Sequence, residues 1–288
     1  MGDGAQFADG KGADAASSNG PFRFSILGVP QYCLTRFVAA AVRPSALPLA
    51  PLFPNRGYTD HLMNLLLLGA GKTGSLVAQV ARERGHMIDV LSSSDNPHAA
   101  GLTSQKLATI DVVIDFTAPQ CVLEHIHACL AAGKNMVVGT TGWHSGTADV
   151  RAAVERHGTG FLFGPNFSIG VNLFFELVRA AAPAIPQKYY PHIYERHHAQ
   201  KKDAPSGTAA TMQKILQENS NAEIEITSFR EGDVVGMHEL VLDSEGDTIY
   251  LCHDAKSRRG FAEGAVRGAE WLAGKKGFFE FKDVWREL

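Results

Sequence analysis

Leu65-Leu66-Leu67-Leu68 is a short continuous apolar run, the pattern of a strand buried on both faces of a parallel sheet. Gly69-Ala70-Gly71-Lys72-Thr73-Gly74 follows, and then Leu76, Val77, Val80 and Ala81 fall at helical spacing. Met87 to Leu91 predicts a second strand, which completes a β-α-β unit. Further strands are expected at Ile110–Phe116, Asn135–Val138 and Gly160–Phe163, with a helix over Val122–Ala132. Gly139-Thr140-Thr141-Gly142 and Gly164-Pro165-Asn166-Phe167 end the last two strands. Beyond them, strands are expected at Tyr190–Glu195, Ile224–Phe229, Glu239–Leu242 and Thr248–His253, the last two alternating as in a sheet packed on one face.

This order predicts an α/β fold, a Rossmann-type doubly wound parallel sheet with a second α+β domain on an open mixed sheet. Residues 63–166 form the dinucleotide-binding domain, rejoined by 256–288. Residues 167–255 are expected to form the substrate-binding domain, and 1–62 a poorly structured extension. Strand, Gly-x-Gly-x-x-Gly and helix in that order make a nucleotide turn, in which glycines let the backbone approach a pyrophosphate. A P-loop would need glycine at position 66, where Leu66 stands. The expected coenzyme contacts are Gly69, Ala70, Gly71, Lys72, Thr73, Gly74, Ser93, Gly139, Thr140, Thr141, Gly164, Pro165, Asn166 and Phe167. An NAD site usually carries an acid after the second strand, but here Ser92, Ser93 and Ser94 precede Asp95. That favours NADPH modestly and leaves NADH open.

The stretch Glu195–Ala209 concentrates chemistry: adjacent His197 and His198, then Lys201, then Pro205-Ser206-Gly207-Thr208. Ala209, Met212, Ile215 and Leu216 continue at helical spacing, so Ser206 is the expected N-cap. The amides of Gly207 and Thr208 then face outward from a helix start, where unpaired N–H groups and the macrodipole attract anions. Single histidines and lysines are ordinarily solvated, but this grouping suits a small carboxylate-bearing molecule. Paired histidines also suit a metal. No His-x-x-x-His accompanies them, and Cys33, Cys121, Cys129 and Cys252 form no Cys-x-x-Cys pair, so no metal is expected.

The 288 residues carry a formal charge of −3 and a pI near 6.5, which gives no basic footprint for nucleic acid. No apolar run reaches the ~18–20 residues of a membrane span, so a soluble body is expected. Four unpatterned cysteines suggest a reducing compartment. Ala15 to Thr59 contains no acid but holds Arg23, Arg36, Arg43 and Arg56, a make-up reminiscent of a transit peptide. Asp3, Asp9 and Asp14 argue against that. A weakly structured extension or translated upstream sequence, with Met63 as the start, is the plainer reading. A cytoplasmic location is expected, with a plastid left open.

The chain resembles the 4-hydroxy-tetrahydrodipicolinate reductase (dihydrodipicolinate reductase) family of lysine and diaminopimelate biosynthesis. The family's Glu-x-His-His-x-x-Lys-x-Asp-x-Pro-Ser-Gly-Thr-Ala is matched at every specified position from Glu195 to Ala209. Asp115-Phe116-Thr117, Asn166-Phe167-Ser168, Gly232-x-x-x-Gly236-x-His238 and Phe261–Arg267 extend the likeness from about Asn64 to the C-terminus. It implies His197 as the acid/base histidine and Lys201 as the proton donor. His198, Gly207 and Thr208 would hold the carboxylates of a dicarboxylate substrate, and the assembly would be a homotetramer. Lys72 stands where the family often has arginine, and the segments after Ser94 and Arg230 are shorter. The rival is a non-catalytic dinucleotide sensor of the same fold, which would be free to lose Lys201. Semialdehyde and homoserine dehydrogenases lack the Glu195–Ala209 stretch.

Overall fold

The alternating faces of the four-leucine run decide how the chain folds. In the computed structural model, which describes residues 62–218, 220 and 223–288, β1 (Asn64–Leu68) sends Leu65 and Leu67 to one face and Leu66 and Leu68 to the other. All four are at most 1% exposed. A side chain enclosed to that degree contributes roughly 1.5–3 kcal/mol.

Helix α1 (Lys72–Glu83) leads to β2 (Met87–Leu91), and α2 (Ser104–Ala108) to β3 (Val112–Asp115). Then come α3 (Val122–Ala131), β4 (Asn135–Val138), α4 (Thr147–His157) and β5 (Gly160–Phe163). The chain leaves through α5 (Ile169–Ala181), β6 (Tyr190–His197), α6 (Gly207–Gln217), β7 (Glu225–Arg230), β8 (Met237–Asp243) and β9 (Thr248–Asp254). It returns through α7 (Arg259–Leu272), β10 (Gly277–Glu280) and α8 (Phe281–Val284).

The first sheet has the order β10-β5-β4-β3-β1-β2, every pair parallel. Strand order therefore reverses between β1 and β3, the place where such sheets open a crevice for a ligand. Helices α1 and α7 cover one face through Val77, Val80, Val266 and Leu272; α3 and α4 cover the other through Ile126, Leu130 and Val154. The returning segment is stitched to the first β-α-β unit by Glu270, which accepts from Arg84 and His86 at 2.7–2.8 Å.

The second sheet has the order β7-β6-β8-β9 and is mixed: β6 and β7 are parallel, the other pairs antiparallel. Its inner face packs on α5 and α6 through Phe174, Val178, Met212, Ile215 and Leu240. The doubly wound fold with a second mixed sheet is thus as expected.

The edge strand β10 was not expected, β8 starts two residues before Glu239, and three further details differ from the sequence reading. The third strand is shorter, because Ile110 closes a turn on the Leu107 carbonyl before the ladder starts. The sixth runs two residues longer, so His197 is held in a strand rather than in a loop. And Ile169–Gln187, with a mean hydropathy of 1.3, is long and apolar enough to cross a membrane by length and composition. Its apolar side has another use, since Phe174, Val178 and Ala182 pack in the core of the second sheet.

Candidate active site

Alternation along β6 puts Ile193, Glu195 and His197 in one inward row, all at most 7% exposed. A glutamate in the buried row of a strand is costly unless it is paired and hydrogen-bonded. Glu195 is both. Its Oε1 accepts from Ser228 Oγ at 2.6 Å, Arg230 Nη2 at 2.7 Å and the Ser206 amide at 3.2 Å. Its Oε2 lies 2.8 Å from His197 Nδ1, a charge contact whenever the imidazole is protonated. Burial alone would push the Glu195 carboxyl up, but these donors and the His197 charge outweigh it and hold it at about 2.

Ser206 connects this row to the helix start. Its Oγ accepts from the Ala209 amide at 3.2 Å, capping α6 as expected, and meets His238 Nε2 at 3.0 Å. His238 stands opposite Glu195 in the β6–β8 pair, with its ring edge-on to His197 at 5.1 Å. Burial, then the charge of His197, presses the His238 imidazole down to about 3, so it stays neutral. The His197 imidazole is also held below 6.5, chiefly by burial; Glu195 works in the opposite direction, and Lys201 and Arg230 add to the lowering. Gly236 is needed beside it, since a Cβ there would stand 3.0 Å from His197 Nε2.

A cavity of about 1050 Å³ brings together His197, His198, Lys201, Gly207 and Thr208 with Gly164, Pro165, Asn166 and Thr141. Lys201 Nζ is held by both carboxylate oxygens of Asp203 at 2.8 Å. Gly207 has open space on its Cβ side, as a backbone cradle requires. The Gly164–Asn166 loop is fixed by Asn172, whose Nδ2 donates to the Asn166 carbonyl at 3.1 Å and the Ser168 carbonyl at 2.9 Å.

A second cleft, about 280 Å³, lies at the sheet's point of reversal. It is lined by Gly71, Lys72, Thr73, Gly74, Phe116, Thr117, Gly139, Thr140 and Thr141. The three glycines of the turn have different reasons. Gly69 has φ +97° and no room for a Cβ beside the Phe116 carbonyl. A Cβ on Gly74 would collide with the Gly69 carbonyl, while Gly71 faces open space. Gly71 caps α1 without a side-chain acceptor, so the first α1 amides are free to receive a pyrophosphate. These residues therefore fit a dinucleotide.

Gly69, Ala70, Ser93 and Phe167 line neither cavity. The Phe167 ring is 2% exposed and packs on Phe281 at 4.6 Å, so Phe167 serves the core rather than a cavity wall.

The description of the dihydrodipicolinate reductase N-terminus matches residues 63–167, and that of its C-terminus residues 170–285. The chain belongs to the dihydrodipicolinate reductase family. A 4-hydroxy-tetrahydrodipicolinate reductase of Christiangramia forsetii is 39% identical over 240 residues, which cover 78% of this chain and 99% of that protein. One from Natronomonas pharaonis is 37% identical over 248 residues, 77% of this chain and all of its own. The dipicolinate-bound dihydrodipicolinate reductase of Paenisporosarcina sp. TG-14 shares the fold, with a TM-score of 0.63, 24% identity, and coverage of 78% of this chain and 100% of that one.

Within this dihydrodipicolinate reductase fold, five residues at the site were given no role from sequence: Glu195, Ser228, Arg230, His238 and Arg258. Glu195 and His238 had a signal, since both are specified positions of the family likeness. Ser228 and Arg230 had none, since they reach Glu195 from another strand. Arg258 lines the large cavity and stands 3.5 Å from His198 Nε2, brought there by the return of the chain into α7.

The expectation that the histidines lack metal partners needs correcting. Strand pairing brings ligand atoms of Glu195, His197 and His238 within 4.8 Å of one another. Arg230 engages Glu195 Oε1 and Ser206 engages His238 Nε2, while Glu195 Oε2, His197 Nδ1 and His238 Nδ1 are buried without a hydrogen bond.

Proposed function

We propose that this chain reduces 4-hydroxy-tetrahydrodipicolinate, by way of dihydrodipicolinate, to tetrahydrodipicolinate in lysine and diaminopimelate biosynthesis, using NADPH or NADH. The observation that carries the reading is the single cavity holding His197, Lys201 and the α6 helix start beside the loops ending β4 and β5. When bound, a nicotinamide coenzyme supplies the hydride. Gly71–Gly74 and Gly139–Thr141 hold it, with Gly164–Asn166 at the reacting end.

The Gly207 and Thr208 amides receive one substrate carboxylate, where the α6 dipole favours negative charge. His198 and Arg258 face the same cavity and bind the other. Lys201 leaves Asp203 for the substrate and donates a proton from Nζ as negative charge develops near the ring nitrogen. Because burial keeps His197 below 6.5, its neutral form prevails at pH 7, and the lysine is the stronger candidate for donor.

Supplying the condensation product of pyruvate and aspartate semialdehyde, and following NADPH and NADH absorbance in parallel, tests the reading. Loss of absorbance with either coenzyme supports it, and none with both rejects it.

The coenzyme-binding residues are assigned to 63–166 and 256–288, and the substrate and subunit contacts to 167–255. The outward face of the second sheet, with Tyr190 70% and Tyr250 63% exposed, supports a homotetramer built through it, in the cytoplasm. A chain beginning at Met63, whose amide donates to buried His86 Nδ1 at 3.3 Å, is expected to keep full activity. Loss of activity on that truncation would show that residues 1–62 contribute to the fold or the site.

For the coenzyme, NADPH is expected to serve at least as well as NADH. Ser92 Oγ donates to Asp95 Oδ2 at 2.5 Å and occupies that acid, while Ser93 and Lys72 are exposed. An exposed pair is worth about 0–1 kcal/mol, so the preference is expected to be severalfold. Ser93→Glu should shift the ratio of kcat/KM values toward NADH by a similar factor. A parent enzyme that already favours NADH tenfold would instead identify Asp95 as the ribose ligand.

A further inference from the structure

A buried line of polar side chains joins the loop after β2 to the loop after β4, and of its members only Thr140 has a part above, as a coenzyme contact. Asn96 is 5% exposed, His125 2%, Asp115 0% and Thr140 7%. The Gly101 amide donates to Asn96 Oδ1 at 2.9 Å, which turns Asn96 Nδ2 toward His125 Nε2 at 3.0 Å. His125 Nε2 therefore accepts, and its Nδ1–H donates to Asp115 Oδ2 at 2.8 Å. Asp115 Oδ1 accepts from Thr140 Oγ1 at 2.6 Å, Thr117 Oγ1 at 2.7 Å and the Thr117 amide at 3.0 Å.

Asp115 ends a strand that is otherwise Val112, Val113 and Ile114, all fully buried. An apolar residue there would pack without the cost of a buried carboxylate. What the carboxylate adds is connection, because its partners come from two loops and α3, and α3 in turn carries the contact to Asn96 in a third loop. The loop after β2 is where a doubly wound sheet reads the adenosine ribose. Thr117 and Thr140 line the cleft beside Gly71–Gly74, and Thr141 continues into the cavity of His197 and Lys201.

We propose that Asn96, His125, Asp115 and Thr140 are positioning residues, a buried brace through which contacts at the adenosine end of the dinucleotide set the Thr140–Thr141 wall at its reacting end. This rests on the coenzyme assignment above. Binding energy gained far from the reacting atoms is thereby used to order the groups around them.

The test is hydrogen exchange on the full chain, with and without saturating adenosine 2′,5′-bisphosphate or 5′-AMP, fragments that lack the nicotinamide. In the parent and in Thr140→Ser, which keeps the hydroxyl, the fragment is expected to slow exchange over residues 139–142 by about three- to tenfold, the effect of one hydrogen bond. In Asn96→Ala and His125→Phe the slowing is expected to be lost, although calorimetry still detects the fragment. Asn96→Ala alters only the loop end of the brace and carries the test if His125→Phe does not fold. Equal slowing in Asn96→Ala would mean that the fragment touches residues 139–142 directly, and the brace would be rejected. A fragment that binds the parent without slowing those amides rejects it also. If neither fragment nor intact NADPH or NADH binds the parent, the coenzyme assignment itself fails, and the brace with it.

Discussion

Lys201→Ala is expected to lower turnover by about 10²–10⁴-fold, the usual contribution of a positioned proton donor. Lys201 is set for that role by its turn, in which its amide bonds to the His198 carbonyl at 3.1 Å, and by Asp203, which holds Nζ until substrate carboxylate competes for it. His197→Ala is expected to fall in the same range, because the imidazole shares the cavity and its loss empties space beside Gly236. Dinucleotide binding, measured by calorimetry without substrate, is expected to be unchanged in both. The glycine turn and the loops after β3 and β4 form a separate cleft that neither residue lines. Near-native turnover in both variants would remove these residues from the chemistry.

Glu195→Gln is expected to damage stability and the site together. One carboxylate holds Ser228, Arg230, the α6 cap residue Ser206 and the His197 imidazole, so its neutralisation leaves Arg230 without its charge partner. Breaking such a buried pair costs about 3–5 kcal/mol. The pH dependence has a definite sign. The folded-state value of about 2 lies below the ordinary 4.5, so the stabilisation is complete above pH 4.5 and is lost as pH falls toward 2. Linkage puts it at roughly 3 kcal/mol. Urea titrations between pH 5 and 2 are expected to show that loss in the parent and a flatter dependence in Glu195→Gln. Since the Glu195 charge raises the His197 value, its removal is expected to push His197 further down, as an imidazole NMR titration would record. An unchanged His197 titration in a folded Glu195→Gln protein would show that the 2.8 Å contact has no influence on the proton.

The inner strands of the first sheet were legible because each is a short apolar run closed by a polar or glycine-bearing loop, whereas the edge strand β10 was not, since Gly277–Glu280 becomes a strand only by pairing with β5. Asn135–Val138 and Gly160–Phe163 appear with the boundaries expected. The start of α6 was legible for an equally local reason: Ser206 caps it through an amide three residues on. His197 was identified by its neighbours in sequence, but its environment was not. A reference pKa of ~6.5 is the only value available to a sequence. The lowering comes from burial, which a strand acquires only once α6 and β8 are packed against it.

The same division holds for the whole protein. Sequence by itself determined the order of elements, the glycine turn, the Glu195–Ala209 segment and the family likeness, because each is a pattern of near neighbours along the chain. Tertiary structure decided who meets Glu195 and Asp115. Ser228 and Arg230 reach Glu195 from β7 by strand pairing and His238 stands opposite it on β8, while His125 and Thr140 reach Asp115 from two other segments and Asn96 reaches His125 from a third. Nothing local marks those partners, since any polar residue on a strand or loop serves equally until register and packing bring one of them to within 3 Å of a buried carboxylate that must be satisfied.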